Sequence, residues 1–179
     1  LTDNARDAAA KSELISNLFA KNIYANAQSM LATAASLRWS NPSELEDAIE
    51  QLAVEAESFV ADKNNELDKV ESELFNFAQV LTANPELRQA LNTAADSDAG
   101  KVSLLDSVVK GKYAISTLNL LRRVVVLRRG RNIDATLAAY SHYVAARRNR
   151  IVVHVKTATP LSAAQQQNLI TALGKAIGK

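Results

Sequence analysis

The sequence predicts a mainly α-helical protein. Glycine and proline, which interrupt helices, account for only five and three of its 179 residues. Apolar residues recur every three or four positions through most of the chain, which is the period of one buried helix face. Hydrophobic residues make up 47% and charged residues 22% of the sequence, the balance of a globular protein. We therefore expect amphipathic helices packed around a common core.

Two helices are expected before residue 40. Their predicted ranges are 7–18 and 25–39, and Asn22 lies between them. The apolar positions of the second are Met30, Leu31, Ala34 and Leu37. Trp39 stands at its end, where it is either an anchor for a partner or, more commonly, the partly buried edge of a core.

Six further helical segments are expected between residues 40 and 149. Asn41 or Ser43 can cap the first of them, and Pro42 suits its first turn. Pro85 forces a break, and glycines separate the later segments. The predicted ranges are 42–62, 66–82, 86–91, 101–109, 115–128 and 133–147. Connections this short are typical of antiparallel neighbours in a helical bundle.

The last thirty residues differ from this pattern. Apolar and polar positions alternate over 151–156, and this period of two, together with β-branched residues, predicts a strand. Pro160 ends the strand. Ser162 and Gln165 have the spacing of a capping box, which predicts that a final helix begins there. The apolar face of that helix consists of Leu169, Leu173, Ala176 and Ile177.

The sequence also matches itself at an offset of 90 residues. The identical pairs are Leu1 and Leu91, Ala9 and Ala99, Lys11 and Lys101, Leu14 and Leu104, Leu31 and Leu121, and Arg38 and Arg128. Two amphipathic helices can match by pattern alone, so chance similarity stays open as the alternative. We favour a duplication, in which residues 1–39 are the tail of an earlier copy. The chain opens on Leu1 without an initiator methionine, so residues upstream are expected.

No catalytic apparatus, metal site or cofactor site is expected from the side chains. The sequence contains no cysteine, and neither His142 nor His154 has another metal ligand at a suitable spacing. No nucleophile elbow or glycine-rich phosphate loop is present. No apolar run approaches the roughly 20 residues that span a bilayer.

A cluster of arginines is the one charged feature that suggests a function. Its members are Arg122, Arg123, Arg128, Arg129, Arg131, Arg147, Arg148 and Arg150. One hypothesis is a nucleic-acid-binding module, which needs these charges on one face. The alternative, which we favour, is that arginines near helix C-termini pair with the acidic residues of an adjacent helix. Those acidic residues are Glu66, Asp68, Glu71 and Glu73.

Four segments together resemble the delta subunit of F-type ATP synthase, the bacterial counterpart of the mitochondrial oligomycin-sensitivity-conferring protein. These segments are 68–88, 103–106, 129–131 and 150–167. The specific part is a valine-rich strand followed by Thr-Ala-x-Pro-Leu-Ser-x-x-Gln, at 157–165. The resemblance covers residues 38–179.

The resemblance implies a division of the chain into three parts. Residues 40–149 would form a six-helix bundle domain, and residues 150–179 would begin a C-terminal α/β domain that continues further in the family. Residues 1–39 precede the usual start of the family. Such an extended, duplicated form resembles actinobacterial delta subunits, some of which are fused to a b-type membrane segment.

The resemblance also implies a non-catalytic subunit of the peripheral stalk, or stator, at the cytoplasmic face of the bacterial plasma membrane. Its partners would be the b subunit and the N-terminal amphipathic helix of the alpha subunit, with no nucleic acid and no direct membrane insertion by this segment. That helix would lie in a groove between the first and fifth bundle helices. Our candidates for the groove, some of which must instead be core, are Leu45, Ile49, Leu52, Ile115, Leu118 and Val125.

Overall fold

The computed structural model describes residues 2–3, 5–19, 22–93, 97–127, 130–147, 155, 157 and 159–177. Within these ranges the secondary structure is entirely helical. The helices are α1 (Ala8–Phe19), α2 (Ala25–Ser36), α3 (Pro42–Lys63), α4 (Leu67–Ala83), α5 (Pro85–Asn92), α6 (Asp98–Val109), α7 (Ile115–Val126), α8 (Ile133–Ala146) and α9 (Ala163–Ile177). The predicted mainly helical class is confirmed. The predicted strand at 151–156 lies outside the described residues except for Val155.

Polar caps fix several helix ends where the sequence predicts them. The Asn41 side chain accepts a hydrogen bond from the Glu44 N–H at 3.1 Å, and Pro42 occupies the first turn of α3. The Gln165 N–H donates to the Ser162 hydroxyl, while the Ser162 N–H donates to the Gln165 side chain. This reciprocal pair is the predicted capping box of α9.

Two predicted boundaries were wrong by about a turn. The second helix ends at Ser36 rather than Trp39, because Leu37 adopts an extended backbone with ψ of 164°. The fourth bundle helix, α6, begins at Asp98 rather than Lys101. Ser97 accepts a hydrogen bond from the Gly100 N–H and so starts the helix one turn earlier.

One core cluster joins α3 to α8, and α7 is its central helix. α7 packs against α3, α4, α6 and α8. Its buried residues are Ser116, Thr117, Leu118, Leu120, Leu121, Val124 and Val125. The largest side chains buried around it are Tyr140 and Phe77. The α1–α2 hairpin lies outside this cluster and packs on α3 through α2.

Candidate partner-binding groove

α3 and α7 are antiparallel neighbours joined by polar contacts. The Asn119 side chain of α7 donates to Glu57 of α3 at 3.2 Å. Arg131, just beyond α7, donates to both carboxylate oxygens of Glu50 at 2.7 and 2.6 Å. An earlier residue of α3 thus lies opposite a later residue of α7, so the two helices run in opposite directions.

The residues of α7 that are not fully buried form a narrow strip, in which Ile115 and Arg123 are exposed and the others half-buried. Its members are Ile115, Asn119, Arg122, Arg123 and Val126, which recur at the spacing of one helix face. Ile115, the first residue of this strip, is 76% exposed, a high value for a large aliphatic side chain. Asn119 contacts α3 and Arg122 contacts α6, so the strip lies between these two helices and, on its α3 side, borders the candidate α3–α7 groove.

α3 supplies an apolar wall to this groove. Ile49, Ala53, Ala56 and Val60 follow one another at spacings of four, three and four residues, which places them on one face. Ala53 and Val60 are four and three residues from Glu57, the residue that contacts α7, so this face borders α7. Ile49, Ala56 and Val60 are exposed, and Ala53 is half-buried. The groove therefore has apolar surface on both sides of the Glu57–Asn119 contact.

The six residues that the sequence suggests for the groove differ in how deeply they are buried. Ile49 and Ile115 are exposed beside the groove, and Leu52 is half-buried on α3. Leu45, Leu118 and Val125 are buried, the latter two in the central core. The structure adds Ala53, Ala56, Val60, Asn119 and Val126 as further candidates. The spacing from Ile49 to Val60 was available as a signal, but α3 carries apolar residues on more than one face.

Glu73 of α4 fixes the N-terminal end of α7. Its buried carboxylate accepts hydrogen bonds from the Ala114 N–H at 2.9 Å and from the Thr117 hydroxyl at 2.5 Å. A negative charge at a helix N-terminus also favours the helix macrodipole. Burial, followed by the Glu73 charge, raises the pKa of neighbouring Tyr113. Ile115 is thus presented from a firmly held backbone.

The connection from α7 to α8 lies at the other end of the groove, where two polar contacts hold it in place. Arg131 pairs with Glu50, and the Ile133 N–H donates to the Asn92 side chain at 3.0 Å. Gly130 between them has a φ of +80°, a left-handed conformation that glycine adopts without strain. Burial and, next, the Glu50 carboxylate raise the pKa of Tyr140. Both ends of the α3–α7 groove are therefore anchored.

Three of the four described arginines of the cluster pair with carboxylates of the bundle. Arg122 donates two hydrogen bonds to Asp106, at 3.1 and 2.8 Å, and this contact lowers the pKa of Asp106. Arg131 pairs with Glu50 and Arg147 with Asp62. The pairing alternative gains support, although these partners lie on α3 and α6 rather than in the expected α4 set. Arg128, Arg129, Arg148 and Arg150 lie outside the described residues.

Such pairing counts against the nucleic-acid hypothesis. A phosphate-binding surface needs unpaired positive charge on one face. Of the four arginines of the cluster that the structure describes, Arg122, Arg131 and Arg147 are engaged by carboxylates, and Arg123 is exposed. The hypothesis has no support here.

Trp39 is partly buried, which is the more common of the two outcomes expected from its position in the sequence. It is half-buried, and its indole N–H donates to the carbonyl of Ala34 at 2.8 Å. This contact folds the chain after α2 back onto that helix.

Neither a metal centre nor a membrane span occurs in the described part of the chain. No group of three or more His, Cys, Asp or Glu side chains there could hold a metal ion. None of the described helices is both long enough and apolar enough to cross a bilayer.

A family model and several individual proteins similar to this chain all point to the same family. The family model for the ATP synthase delta (OSCP) subunit matches residues 54–179. The ATP synthase subunit delta of Streptomyces avermitilis is 38% identical over all 179 residues, which cover 66% of that protein. The corresponding proteins of Streptomyces coelicolor and Thermobifida fusca are 38% and 35% identical, with 65% and 66% covered. The chain spans slightly less than two thirds of the length of these relatives.

Proposed function

Because this chain belongs to the ATP synthase delta (OSCP) subunit family, we propose that it is a non-catalytic peripheral-stalk (stator) subunit of F-type ATP synthase. In this role it links the catalytic head to the b-subunit stalk and resists the torque of the rotor. The family match supports the proposal, as does a side-chain repertoire without a nucleophile elbow or phosphate loop.

The head-binding element in this proposal is the groove between α3 and α7. Its ligand is the N-terminal amphipathic helix of the alpha subunit, which inserts apolar residues spaced by three or four positions. Exposed Ile115 is the single observation that carries this assignment. Burying such a side chain contributes about 1.5–3 kcal/mol.

The rigidity of the groove also supports this assignment. Glu73 holds the start of α7, and the Arg131–Glu50 pair holds its end to α3. Binding then needs little rearrangement of either helix, and preorganised surfaces bind more tightly because less order is lost on association. A stator contact that bears torque needs a rigid binding surface of this kind.

The remaining parts of the chain follow the proposed domain division. Residues 40–149 form one domain, which the shared core from α3 to α8 supports. Residues 150–179 begin the C-terminal domain that meets the b subunit, and α9 there exposes Ile170. Residues 1–39 form the helical extension. The subunit lies peripherally at the cytoplasmic face of the bacterial plasma membrane.

Co-purification of this chain with the alpha subunit tests the proposed function. The full chain should retain an intact alpha subunit and lose one that lacks its N-terminal helix. Equal retention of both forms would contradict the assigned contact. No retention of either would contradict the stalk role in this chain.

A further inference from the structure

Arg123 is an exposed arginine of α7 beside the α3–α7 groove. It follows Asn119 by four residues and precedes Val126 by three, so it lies on the face of α7 that borders the groove. The adjacent Arg122 is turned by about 100° around the helix axis and pairs with Asp106 of α6 instead. Arg123 therefore lies on the α3 side of the strip, and Arg122 lies on the α6 side.

The carboxylates of α3 that lie nearest to this part of α7 already have partners. Glu57 accepts a hydrogen bond from Asn119 at 3.2 Å, and both oxygens of Glu50 accept from Arg131, at 2.7 and 2.6 Å. Since Asn119 comes before Arg123 in the chain and Arg131 comes after it, these contacts lie on either side of Arg123. Within the described part of the chain, Arg123 itself forms no ion pair.

The charge of Arg123 acts in the same region as the Glu50–Arg131 pair. Burial is the main cause that raises the pKa of Tyr140, followed by the Glu50 carboxylate, and the charges of Arg123 and Arg131 oppose that rise. Tyr140 belongs to α8, which packs against both α3 and α7. This influence is a second indication that Arg123 lies on the α3 side of α7.

The helix dipole alone would give Arg123 a structural role. It occupies the last turn of α7, where a positive charge is favourable. Its surroundings indicate a further role, because Ala53, between Glu50 and Glu57 on α3, and Val126 on α7 supply apolar surface at the same level of the groove. A charge at the edge of an apolar surface contributes register and specificity to an interface more than affinity.

We propose that Arg123 sets the register of the helix that binds in the α3–α7 groove, by pairing with an acidic residue at the edge of that helix's apolar face. This inference rests on the proposed function, because the ligand is the N-terminal helix of the alpha subunit. The apolar residues of the groove supply most of the affinity. Arg123 decides which acidic residue of the ligand lies at the α8 end of the groove.

The distance from Arg123 to Ile115 makes the proposed register specific. The two residues are eight positions apart in α7, or about 12 Å along the helix axis. A ligand helix that lies along the groove covers this distance in about two turns. Its acidic residue for Arg123 should therefore be about seven or eight positions from the apolar residue that covers Ile115.

Calorimetric titration of the full chain with a peptide of the alpha N-terminal helix, at low and at high salt, tests the role of Arg123. Arg123→Gln should weaken binding about twofold to fivefold at low salt, since an exposed ion pair is lost, and should remove most of the salt dependence. Arg123→Glu should weaken it by at least about tenfold, because like charges then meet. The matched control is Arg88→Glu, at an exposed arginine of α5, which should bind like the original chain.

Peptides in which each acidic residue is replaced in turn by lysine identify the partner of Arg123. One of them should bind the original chain more weakly than the unmodified peptide does, and should bind the Arg123→Glu chain more tightly. A residue that only stabilises the end of α7 could not produce this exchange of preference. Melting curves show whether Arg123→Glu loosens α7, and Arg123→Gln, which places no negative charge there, keeps the test valid in that case.

Two results would overturn this proposal and leave the stalk role intact, provided that Ile115→Asp still weakens binding. One is equal affinity of Arg123→Gln, Arg123→Glu and the original chain at low salt. The other is that none of the lysine peptides binds the Arg123→Glu chain more tightly than the unmodified peptide does. Absence of binding to the original chain would overturn both the groove assignment and this proposal.

Discussion

Glu73 of α4 and Thr117 of α7 are joined by a buried hydrogen bond of 2.5 Å, in which the Thr117 hydroxyl donates to the carboxylate. The same carboxylate oxygen accepts from the Ala114 N–H at 2.9 Å. A side chain of one helix thus caps the start of another. This contact fixes the central helix of the bundle and the backbone that carries Ile115.

Glu73→Gln should lower the free energy of unfolding by about 1–3 kcal/mol, because it removes a charged acceptor that is buried between two donors. Urea unfolding at neutral pH measures this change. Glu86→Gln, at an exposed position on α5, is the control and should change stability by less than about 0.5 kcal/mol. Equal effects of the two substitutions would show that the cap is energetically unimportant.

Thr117→Val should reproduce part of this loss, and the double variant should lose less than the sum of the two single variants. The reason is that both substitutions remove the same hydrogen bond. A double-mutant cycle measures the coupling between the two side chains. Strict additivity would contradict a direct interaction between Glu73 and Thr117.

Leu120→Ala on α7 and Met30→Ala on α2 form a matched pair, since the two positions are related by the 90-residue offset in the sequence. Leu120 is enclosed by the core, so its truncation should cost about 2–5 kcal/mol. Met30 is half exposed, so its truncation should cost less than about 1 kcal/mol. Chemical unfolding of both variants tests the contrast. Similar costs would mean that Met30 is as enclosed as Leu120.

Alkaline pH should destabilise the fold through two tyrosines, the buried Tyr140 and the half-buried Tyr113. Burial raises the pKa of Tyr113 and Tyr140 above about 10, the value for an unfolded chain. Their contribution to stability is therefore complete below pH 10 and is lost as the pH rises through the folded-state pKa. Tyr140→Phe should flatten the decline in unfolding free energy above about pH 10. An unchanged slope in this variant would contradict the assignment.

Acidic pH should remove the stabilising effect of the Asp106–Arg122 pair. The hydrogen bonds from Arg122 lower the pKa of Asp106, so the pair stabilises the fold above about pH 4 and loses its effect as the pH falls through the folded-state pKa. Asp106→Asn should therefore be less stable than the original chain at pH 7 and similar to it near pH 2. A difference that persists at the lower pH would point to a packing defect instead.

Local features of the fold were predictable from sequence because short-range chemistry determines them. The Asn41 cap, the Ser162–Gln165 capping box and the helical period needed no tertiary information. The end of α2 was not predictable, since Trp39 continues the apolar pattern. Its indole instead turns back to the Ala34 carbonyl.

The candidate groove was predictable only in part. Ile49 and Ile115 are exposed and stay candidates for it, whereas Val125, another β-branched residue that the pattern selects, is buried in the core. The distinction arises because α7 is surrounded by four helices, which a periodic pattern on one helix cannot show. The arginine partners Asp106, Glu50 and Asp62 are likewise set by how the helices pack.

Calorimetric titration of the full chain with a peptide of the alpha subunit N-terminal helix tests the central claim most directly. The account predicts saturable one-to-one binding that Ile115→Asp weakens by roughly tenfold to a hundredfold and that Ile170→Asp leaves unchanged. Ile115→Asp should keep the fold, because an acidic residue in the first turn of α7 favours the helix dipole. No saturable binding at high micromolar peptide, or equal affinity of the Ile115→Asp variant, would contradict the account.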